Sequence, residues 1–381
     1  MTAVEHPGLM ASDLPVEQRV CPRRRQATEG PAVRRVRTPV GDRAWLVTGY
    51  AQVRDLLRDE RLGRSHPRPG RRAQYAGDPT YDQVMAADHT QADTMHHGIR
   101  NLIKPQFTTR RMLAMRSRVQ RYAAEQVDVL IAKGPPTELR TDFSEPLIRR
   151  VLCDLFGVPD SEVGQCVEFM RRSASGDTAL ATYLRRLIMV KRFRPDDGVV
   201  ARLCQTDTPD EQVVQALMLM QFAGVGATSK QIAYGVLLLA EHAEQRGTLA
   251  ADPALVPSAV EELLRLSGSL SLPRYARKDI EIAGVTIGEG DLVLLDLTSA
   301  NFDEAAFADA TTLDLTRSPN RHLTFSYGVW TCLGAPLARM LLAVVFEELL
   351  TRMPDLRPAA PVDPRRGPLT GGLPERLELT W

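Results

Sequence analysis

The sequence predicts a mainly α-helical protein with a small β part, folded as a single domain. Three observations carry this reading. Helical spacing of apolar residues recurs along most of the chain. Runs of β type are confined to one region near the N-terminus and one past residue 275. No internal repeat or low-complexity linker divides the rest.

Length and composition set bounds. At 381 residues the chain is long enough for one large domain with an extensive core and a cavity. Hydrophobic residues at 44% and charged residues at 25% are ordinary values for a soluble protein. A formal charge of +1 argues against a bulk electrostatic partner such as nucleic acid. Cys21, Cys153, Cys166, Cys204 and Cys332 are odd in number, far apart and without a CxxC pair. They form neither a disulfide framework nor a zinc site, which suits a reducing compartment. The stretch MTAVEHPGLMASDLPVEQRV has no apolar core of the signal-peptide kind. The most apolar stretch, QALMLMQFAGVGATSKQIAYGVLLLAEH, is interrupted by Gln221, Lys230 and Gln231, against a membrane span. The expected location is the cytoplasm, with no membrane contact.

In chain order, VRRVRTPVGDRAWLVTGY reads as a hairpin turning on Pro-Val-Gly-Asp. AQVRDLLRDERL follows as a helix with Val53, Leu56 and Leu57 on one face. From Gly63 to about Thr94 Pro, Gly, Arg and polar residues predict a long loop, the kind that is usually functional or disordered. Helices are predicted for MHHGIRNLIKPQF, for RRMLAMRSRVQRYAAEQVDVLIAKG (stopped by Gly134-Pro135-Pro136) and for SEPLIRRVLCDLFGVPD (closed by Gly157 and Pro159). Between Ser161 and Asp210 only ALATYLRRLIMVKRF is strongly helical. A long apolar helix is expected from about Glu211 to Glu244, and EELLRL is helical. DIEIAGVTIGEGDLVLLDL reads as two strands joined by Gly288-Glu289-Gly290, and PLARMLLAVVFEELLTRM as the last helix.

The strongest chemical signal is HLTFSYGVWTCLGAPLARM. Gly328 and Gly334 flank Cys332 and let the backbone pack closely against something flat and bulky. Pro336 suits the first turn of a helix, so Cys332 stands just before a helix N-terminus, where unpaired amides and the dipole favour a thiolate. Such a thiolate is a nucleophile or a metal ligand, against the commoner fate of a lone cysteine, structural burial. No HisxxxHis pair or second cysteine joins it, so a metal there must be held mainly by something else. Haem, with four nitrogens of its own, meets that requirement. A cysteine-nucleophile hydrolase lacks a His and Asn/Asp arrangement near Cys332.

The segment FSYGVWTCLG resembles the ligand loop of the cytochrome P-450 family through Phe325, Gly328, Cys332, Leu333 and Gly334, with Leu337, Ala338 and Arg339 beyond. Ser326 stands where the family usually has Gly, and Trp330 where a basic residue, often His, contacts a haem propionate. Glu262 and Arg265 in VEELLRL, one helical turn apart, resemble the family's ExxR pair; taken alone they would be a solvated surface pair. PRYARKDIEIAGVTIGEGDLVLL and ANFDEAAFADATTLDLTRSPNRHLTF continue the match, the latter through Asn301, Asp303, Phe307, Asp314, Arg317 and His322. HHGIRNLIKPQFTTRR resembles the family's H-x-x-x-R helix. The match runs from about Val33 to Trp381, leaving residues 1–32 as an N-terminal extension ahead of a catalytic domain at 33–381.

The resemblance implies the cytochrome P-450 fold and a haem b (iron protoporphyrin IX) with Cys332 as its metal ligand. It implies propionate contacts from His96, Arg100, Arg274 and His322, and close packing at Phe325, Gly328, Gly334, Ala223 and Gly224. The implied activity is that of a monooxygenase using dioxygen, on a biosynthetic intermediate of secondary metabolism, by hydroxylation or by C–C or C–O coupling. Electrons would come from a ferredoxin and its reductase, steered by a basic face including Arg110, Arg111 and Arg339, and the protein would be monomeric. Pocket positions are Phe222, Val225 and Ser269 to Leu272, Ser271 and Leu272 among them, with the 63–94 loop, the weakly patterned region between Cys166 and Asp210, and residues 369–373. Phrases such as VRRVRTPVGDRAWLV are similar to an actinobacterial branch that oxidises cyclic dipeptides and other peptides. Arg64, Arg68, Arg71 and Arg72 read as a solvated loop face, with a substrate carboxylate as the alternative.

One departure bears on mechanism. The family's acid–alcohol pair, which helps deliver protons to oxygen, falls here at Gly226 and Ala227, and neither can relay a proton. Thr228 and Ser229 are rotated about 100° and about 200° from Ala227 on an ideal helix. Either water or a substrate group supplies the proton path, or the protein is a haem-binding scaffold or sensor with impaired catalysis.

Overall fold

The computed structural model describes residues 30–38, 40–75, 97–173, 175–267, 271–362 and 376–381. Strand β1 (Val33–Arg37) pairs antiparallel with β2 (Arg43–Val47), from Val33↔Val47 to Arg37↔Arg43, the hairpin that the pattern predicts. The turn closes through Gly41 at φ +96, whose amide donates to Thr38 O at 2.9 Å. These strands belong to a five-stranded sheet of order β1-β2-β8-β5-β3, completed by β3 (Leu62–Gly63), β5 (Ser271–Ala276) and β8 (Leu292–Asp296). The β2–β8 ladder is parallel and the others antiparallel, so residues near 45 and near 294 are knitted into one platform.

The region past 275 differs from expectation. Instead of two strands it holds a hairpin, β6 (Ile280–Ile282) with β7 (Val285–Ile287), followed by β8. The extra turn sits on Ala283 and Gly284, both at positive φ (49 and 76), the backbone of a two-residue hairpin. Alanine rarely adopts that conformation, so the turn is silent in the sequence. Strand β5 also carries no strand signal, because SLPRYA contains Pro273.

Helix α1 spans Tyr50–Leu56, and residues 97–103 are helical. α2 (Thr109–Lys133) starts at Thr108, whose hydroxyl accepts from Arg111 N, and stops at Gly134 at φ +72. α3 (Glu145–Phe156) ends on left-handed Gly157. The 161–210 region is more helical than its pattern suggests, with α4 (Val163–Ser173), α5 (Ala179–Phe193) and α6 (Val199–Cys204). α4 buries only the narrow stripe Val163, Cys166 and Met170, which is why its periodicity is weak. The long apolar helix is α7 (Asp210–Glu241); it breaks at His242 (φ −112, ψ 69) and is followed by α8 (Ala243–Ala251). Then come α9 (Val256–Leu266), the short α10 (Leu297–Ala300) and α11 (Ala335–Arg352). A three-stranded sheet of order β4-β10-β9 joins β4 (Thr137–Glu138), β9 (Arg357–Pro358) and β10 (Glu378–Thr380).

One large apolar cluster gathers side chains from α2, α3, α5, α7, α9 and α11, and a second lies under the five-stranded sheet. Residues 232–239 of α7 are buried on all sides. α7 is thus a central post, α11 is anchored beside it, and the loop between α10 and α11 is left to carry the chemistry. Among the described residues no helix is long and apolar enough to cross a membrane.

Candidate functional site: the cysteine loop at the start of α11

The loop ahead of Cys332 is fastened from behind. Glu262 and Arg265 of α9 are both 0% exposed, which excludes a solvated pair. Arg265 Nε and Nη2 donate to the Glu262 carboxylate at 2.8 Å each, and Nη1 donates to Asn301 O at 2.9 Å and Ala310 O at 2.6 Å. Glu262 also accepts from Arg317 Nε (3.2 Å), Asn320 Nδ2 (2.9 Å) and Asp314 N (3.1 Å). A buried ion pair is tolerable only when its remaining donors and acceptors are satisfied, and here backbone carbonyls and neighbouring donors do that. Asn301 extends the brace: its Oδ1 accepts from Leu323 N at 2.7 Å and its Nδ2 donates to Thr324 Oγ1 at 2.8 Å.

Past this anchor the chain reverses. Ser326 and Gly328 hold φ of +60 and +61, and Cys332 N donates back to Phe325 O at 2.8 Å. A Cβ on Gly328 would come within 3.1 Å of Leu57 O, so glycine is needed for the close approach as well as the turn. α11 begins at Ala335 with Pro336 in its first turn, and Cys332 sits just ahead of it.

Cys332 lies in a recess, reachable by solvent yet walled by protein. Burial pushes its thiol above the ordinary range, opposed by the amides of Gly334 and Ala335 and by the charges of Arg100 and Arg339. The amide donors expected of a helix start are therefore present, and burial opposes them. Coordination to a cation would release the thiol proton.

Guanidiniums adjoin the loop on the Cys332 side. Arg100 Nη1 donates to Thr331 O at 3.0 Å. Arg274, 5% exposed, lies with its Cζ 4.2 Å from the Trp330 ring centroid. Arg64, half-buried, lies over the same ring at 5.2 Å and is no part of a solvated face. Its neighbours Arg68 and Arg71 are exposed, Arg68 meeting Glu289 at 3.7 Å.

His322 does not join these cations. Its Nε2 meets Glu261 Oε2 at 3.2 Å and its Nδ1 accepts from Thr324 N at 3.2 Å, so both ring nitrogens are engaged within the loop's own scaffold. Arg339 is not a free surface cation either: Nε and Nη2 fork onto Glu261 at 2.7 and 2.8 Å, and the guanidinium lies 4.6 Å from the Phe325 centroid. Glu261 escaped the sequence reading because its partners lie on other elements. Arg111 Nη2 donates to Asp197 O at 3.2 Å, while Arg110 is exposed.

On α7, Phe222, Ala223, Gly226 and Ala227 are exposed, while Gln221, Val225 and Ser229 are buried. Val225, read as a pocket position, sits instead in the main core at 5% exposure. Gly224 and Gly226 face open space, since a Cβ on either would meet nothing within 4 Å. Ser229 Oγ is paired with Ser144 Oγ at 2.6 Å, and Thr228 is half-buried. Leu272 packs on the sheet's core cluster, and Ser271 is half-buried opposite Asp296. His96, residues 269–270, most of the 63–94 loop and residues 369–373 lie outside the described residues, as does Cys21.

The chain's likeness to known proteins agrees with this arrangement. The family described as Cytochrome P450 matches residues 191–354. Pentalenolactone synthase of Streptomyces exfoliatus is 37% identical over 91% of this chain and 92% of its own length. Mycinamicin IV hydroxylase/epoxidase of Micromonospora griseorubida is 36% identical over 92% of both. The chain belongs to the cytochrome P450 family. The substrate-free structure of the P450 PimD, a polyene macrolide antibiotic pimaricin epoxidase, superposes with a TM-score of 0.87 at 38% identity, covering 95% of this chain and 96% of that one. The protein is accordingly a P450 monooxygenase with the P450 fold, and the family implies a haem cofactor, dioxygen, a small-molecule substrate and a source of electrons.

The residues present fit such a cofactor. A flat dicarboxylate macrocycle with one metal asks for a single soft ligand, cations for its carboxylates and walls without bulk. Cys332, the guanidiniums of Arg100 and Arg274, and the Cβ-free surface at Gly224 and Gly226 meet those requirements.

Proposed function

We propose that this P450 oxygenates a natural-product biosynthetic intermediate, using haem b ligated by Cys332. The observation that carries this reading is the Cys332 sulfur at the head of α11, met by two backbone amides and flanked by Arg100. Bound there, the haem supplies dioxygen activation, with the thiolate's electron density favouring O–O cleavage.

The chain's own residues then divide the work. Arg100 and Arg274 orient the carboxylates. Phe325, Gly328 and Gly334 let the loop lie flat against the ring, and Ala223, Gly224, Gly226 and Ala227 keep α7 narrow beside it. Phe222 and Leu272 offer apolar surface to substrate. No proton donor stands at Gly226 or Ala227, and Ser229 is held by Ser144; water or a substrate hydroxyl or amide completes the proton path, with Thr228 one residue round the helix. Hydroxylation and C–C or C–O coupling are both open to such a site.

The relatives named above include a hydroxylase/epoxidase and a macrolide epoxidase. They favour a bulky intermediate and lend nothing to cyclic dipeptides in particular. Residues 33–381 act as one catalytic domain, as a cytoplasmic monomer fed by a ferredoxin and its reductase. A second reading, a haem-binding scaffold or sensor, draws on Gly226 and Ala227 alone.

The test is the reduced, carbon-monoxide-bound absorption spectrum of the protein beside Cys332→Ser, followed by turnover with ferredoxin, its reductase and a panel of macrolide and cyclic-dipeptide probes. A thiolate-type band lost in the variant, with oxygenated product, supports the enzyme. The same band, with a probe bound and no product or productive use of electrons or peroxide, favours the scaffold. A spectrum unchanged by the substitution removes Cys332 as ligand.

A further inference from the structure

Two thiols that the site does not use meet across the seam between α3 and α4. Cys153 and Cys166 are both 0% exposed and belong to the main apolar core, where the turn through Gly157 and Pro159 brings their helices back together. The Cys153 thiol donates to the Cys166 sulfur, so the two side chains are already in contact. That hydrogen bond and burial push the Cys153 thiol up, which leaves the closed seam unreactive. The seam is also narrow. α4 buries only Val163, Cys166 and Met170, and is otherwise held by polar links. Glu162, just ahead of it, accepts from Tyr183 Oη at 2.8 Å and meets Arg186 at 2.6 Å, and Gln221 Nε2 of α7 donates to Met170 O at 3.2 Å. An element with so few buried apolar contacts opens at a lower cost than the core around it. The thiols are thus shielded in the closed state and uncovered whenever α4 lifts.

We propose that Cys153 and Cys166 are a peroxide-oxidised dithiol whose disulfide staples α4 to α3. The oxidant is hydrogen peroxide, which a monooxygenase releases when it reduces dioxygen without forming product. With α4 lifted, one thiol sheds its proton and the thiolate attacks a peroxide oxygen, giving a sulfenic acid and, with that proton, water. With α4 settled again, the partner thiol attacks the oxidised sulfur; the S–S bond forms and the hydroxyl leaves as a second water. Two thiols have then lost two hydrogens and two electrons, and the peroxide has become two waters. A thiol reductant reverses the change. Abortive turnover is in this way recorded as a rigid α4.

No Lys or Arg lies between Arg150 and Arg171, so a single tryptic peptide carries both cysteines. The reduced holoenzyme is treated with hydrogen peroxide, denatured in an alkylating agent, digested and weighed, and amide hydrogen exchange across residues 163–173 is followed in parallel. The peptide is expected to be lighter by two hydrogens and alkylated at neither cysteine, and dithiothreitol is expected to restore it. Exchange across α4 is expected to slow by about tenfold in the oxidised protein. In Cys166→Ser the remaining Cys153 is expected to be trapped by dimedone as a sulfenic acid, with exchange left at the reduced rate. The untreated parent is its own reduced control, so the test stands even where that variant folds poorly. Alkylation of both cysteines after peroxide overturns the proposal, as does a peptide that gains oxygen at each cysteine without a disulfide. A disulfide that leaves exchange across α4 unchanged overturns the staple.

Discussion

Ser326 combines a left-handed backbone, φ +60, with a buried hydroxyl that has no hydrogen-bond partner among the described residues. A non-glycine residue held there costs about 1 kcal/mol or more, and an unsatisfied buried hydroxyl adds to it. Ser326→Gly is therefore expected to raise stability by about 0.5–1 kcal/mol, the gain being reduced by glycine's freer unfolded chain. It should appear as a higher urea midpoint at unchanged slope; a lower midpoint would mean that the hydroxyl has a partner in solution. Glu262 is the opposite case. It takes five hydrogen bonds' worth of donors from Arg265, Arg317, Asn320 and Asp314 at zero exposure. Glu262→Ala leaves Arg265 charged and buried without its carboxylate, and is expected to cost about 3–5 kcal/mol in chemical unfolding. A loss below about 1 kcal/mol would show that the carbonyls of Asn301, Ala310 and Thr312 suffice alone.

Between elements, the contact of α7 with α11 turns on Gly235, where a Cβ would overlap the ring of Phe346, itself 2% exposed. Helix propensity alone favours alanine over glycine by about 1 kcal/mol. Overpacking opposes it by about 1–3 kcal/mol, and because the ring is enclosed, Gly235→Ala is expected to lower the melting temperature. A rise would mean that Phe346 steps aside without strain. Contacts of this kind also explain what could be read from the sequence. α5 and α11 were legible because a broad apolar face recurs at helical spacing, and the Cys332 loop because glycines, proline and cysteine each answer a local backbone demand. α4 was not, since its buried stripe is three side chains wide, nor was the Ala283–Gly284 turn, since nothing local announces alanine at positive φ. The Glu262–Arg265 spacing was visible but its burial was not. Arg64 and Glu261 took their roles from partners on other elements: Trp330 for one, Arg339, 78 residues away, for the other.

At the scale of the molecule, Glu261 ties three segments together: its own helix α9, the loop through His322, and α11 through Arg339. Burial pushes its carboxyl up, but hydrogen bonds from His322 and Arg339, with the arginine's charge, more than offset this and bring it down to about 2 from an ordinary 4.5. The sign follows from proton counting. Between those values the unfolded chain binds a proton at this position and the folded chain does not, so folding is favoured as pH rises. The contribution is complete above about pH 5, decays as pH falls from 4.5 towards 2, and is on the order of 3 kcal/mol before screening at its partly exposed edge. Glu261→Gln removes the titration and leaves Arg339 and His322 facing a neutral amide. Urea unfolding of parent and variant from pH 7 to pH 2 is expected to show the parent ahead by a constant margin at neutral pH. The two curves should converge across that acid window. A margin independent of pH would assign the effect to shape rather than charge, and the link from α9 to α11 beneath the cysteine loop would then be a matter of packing.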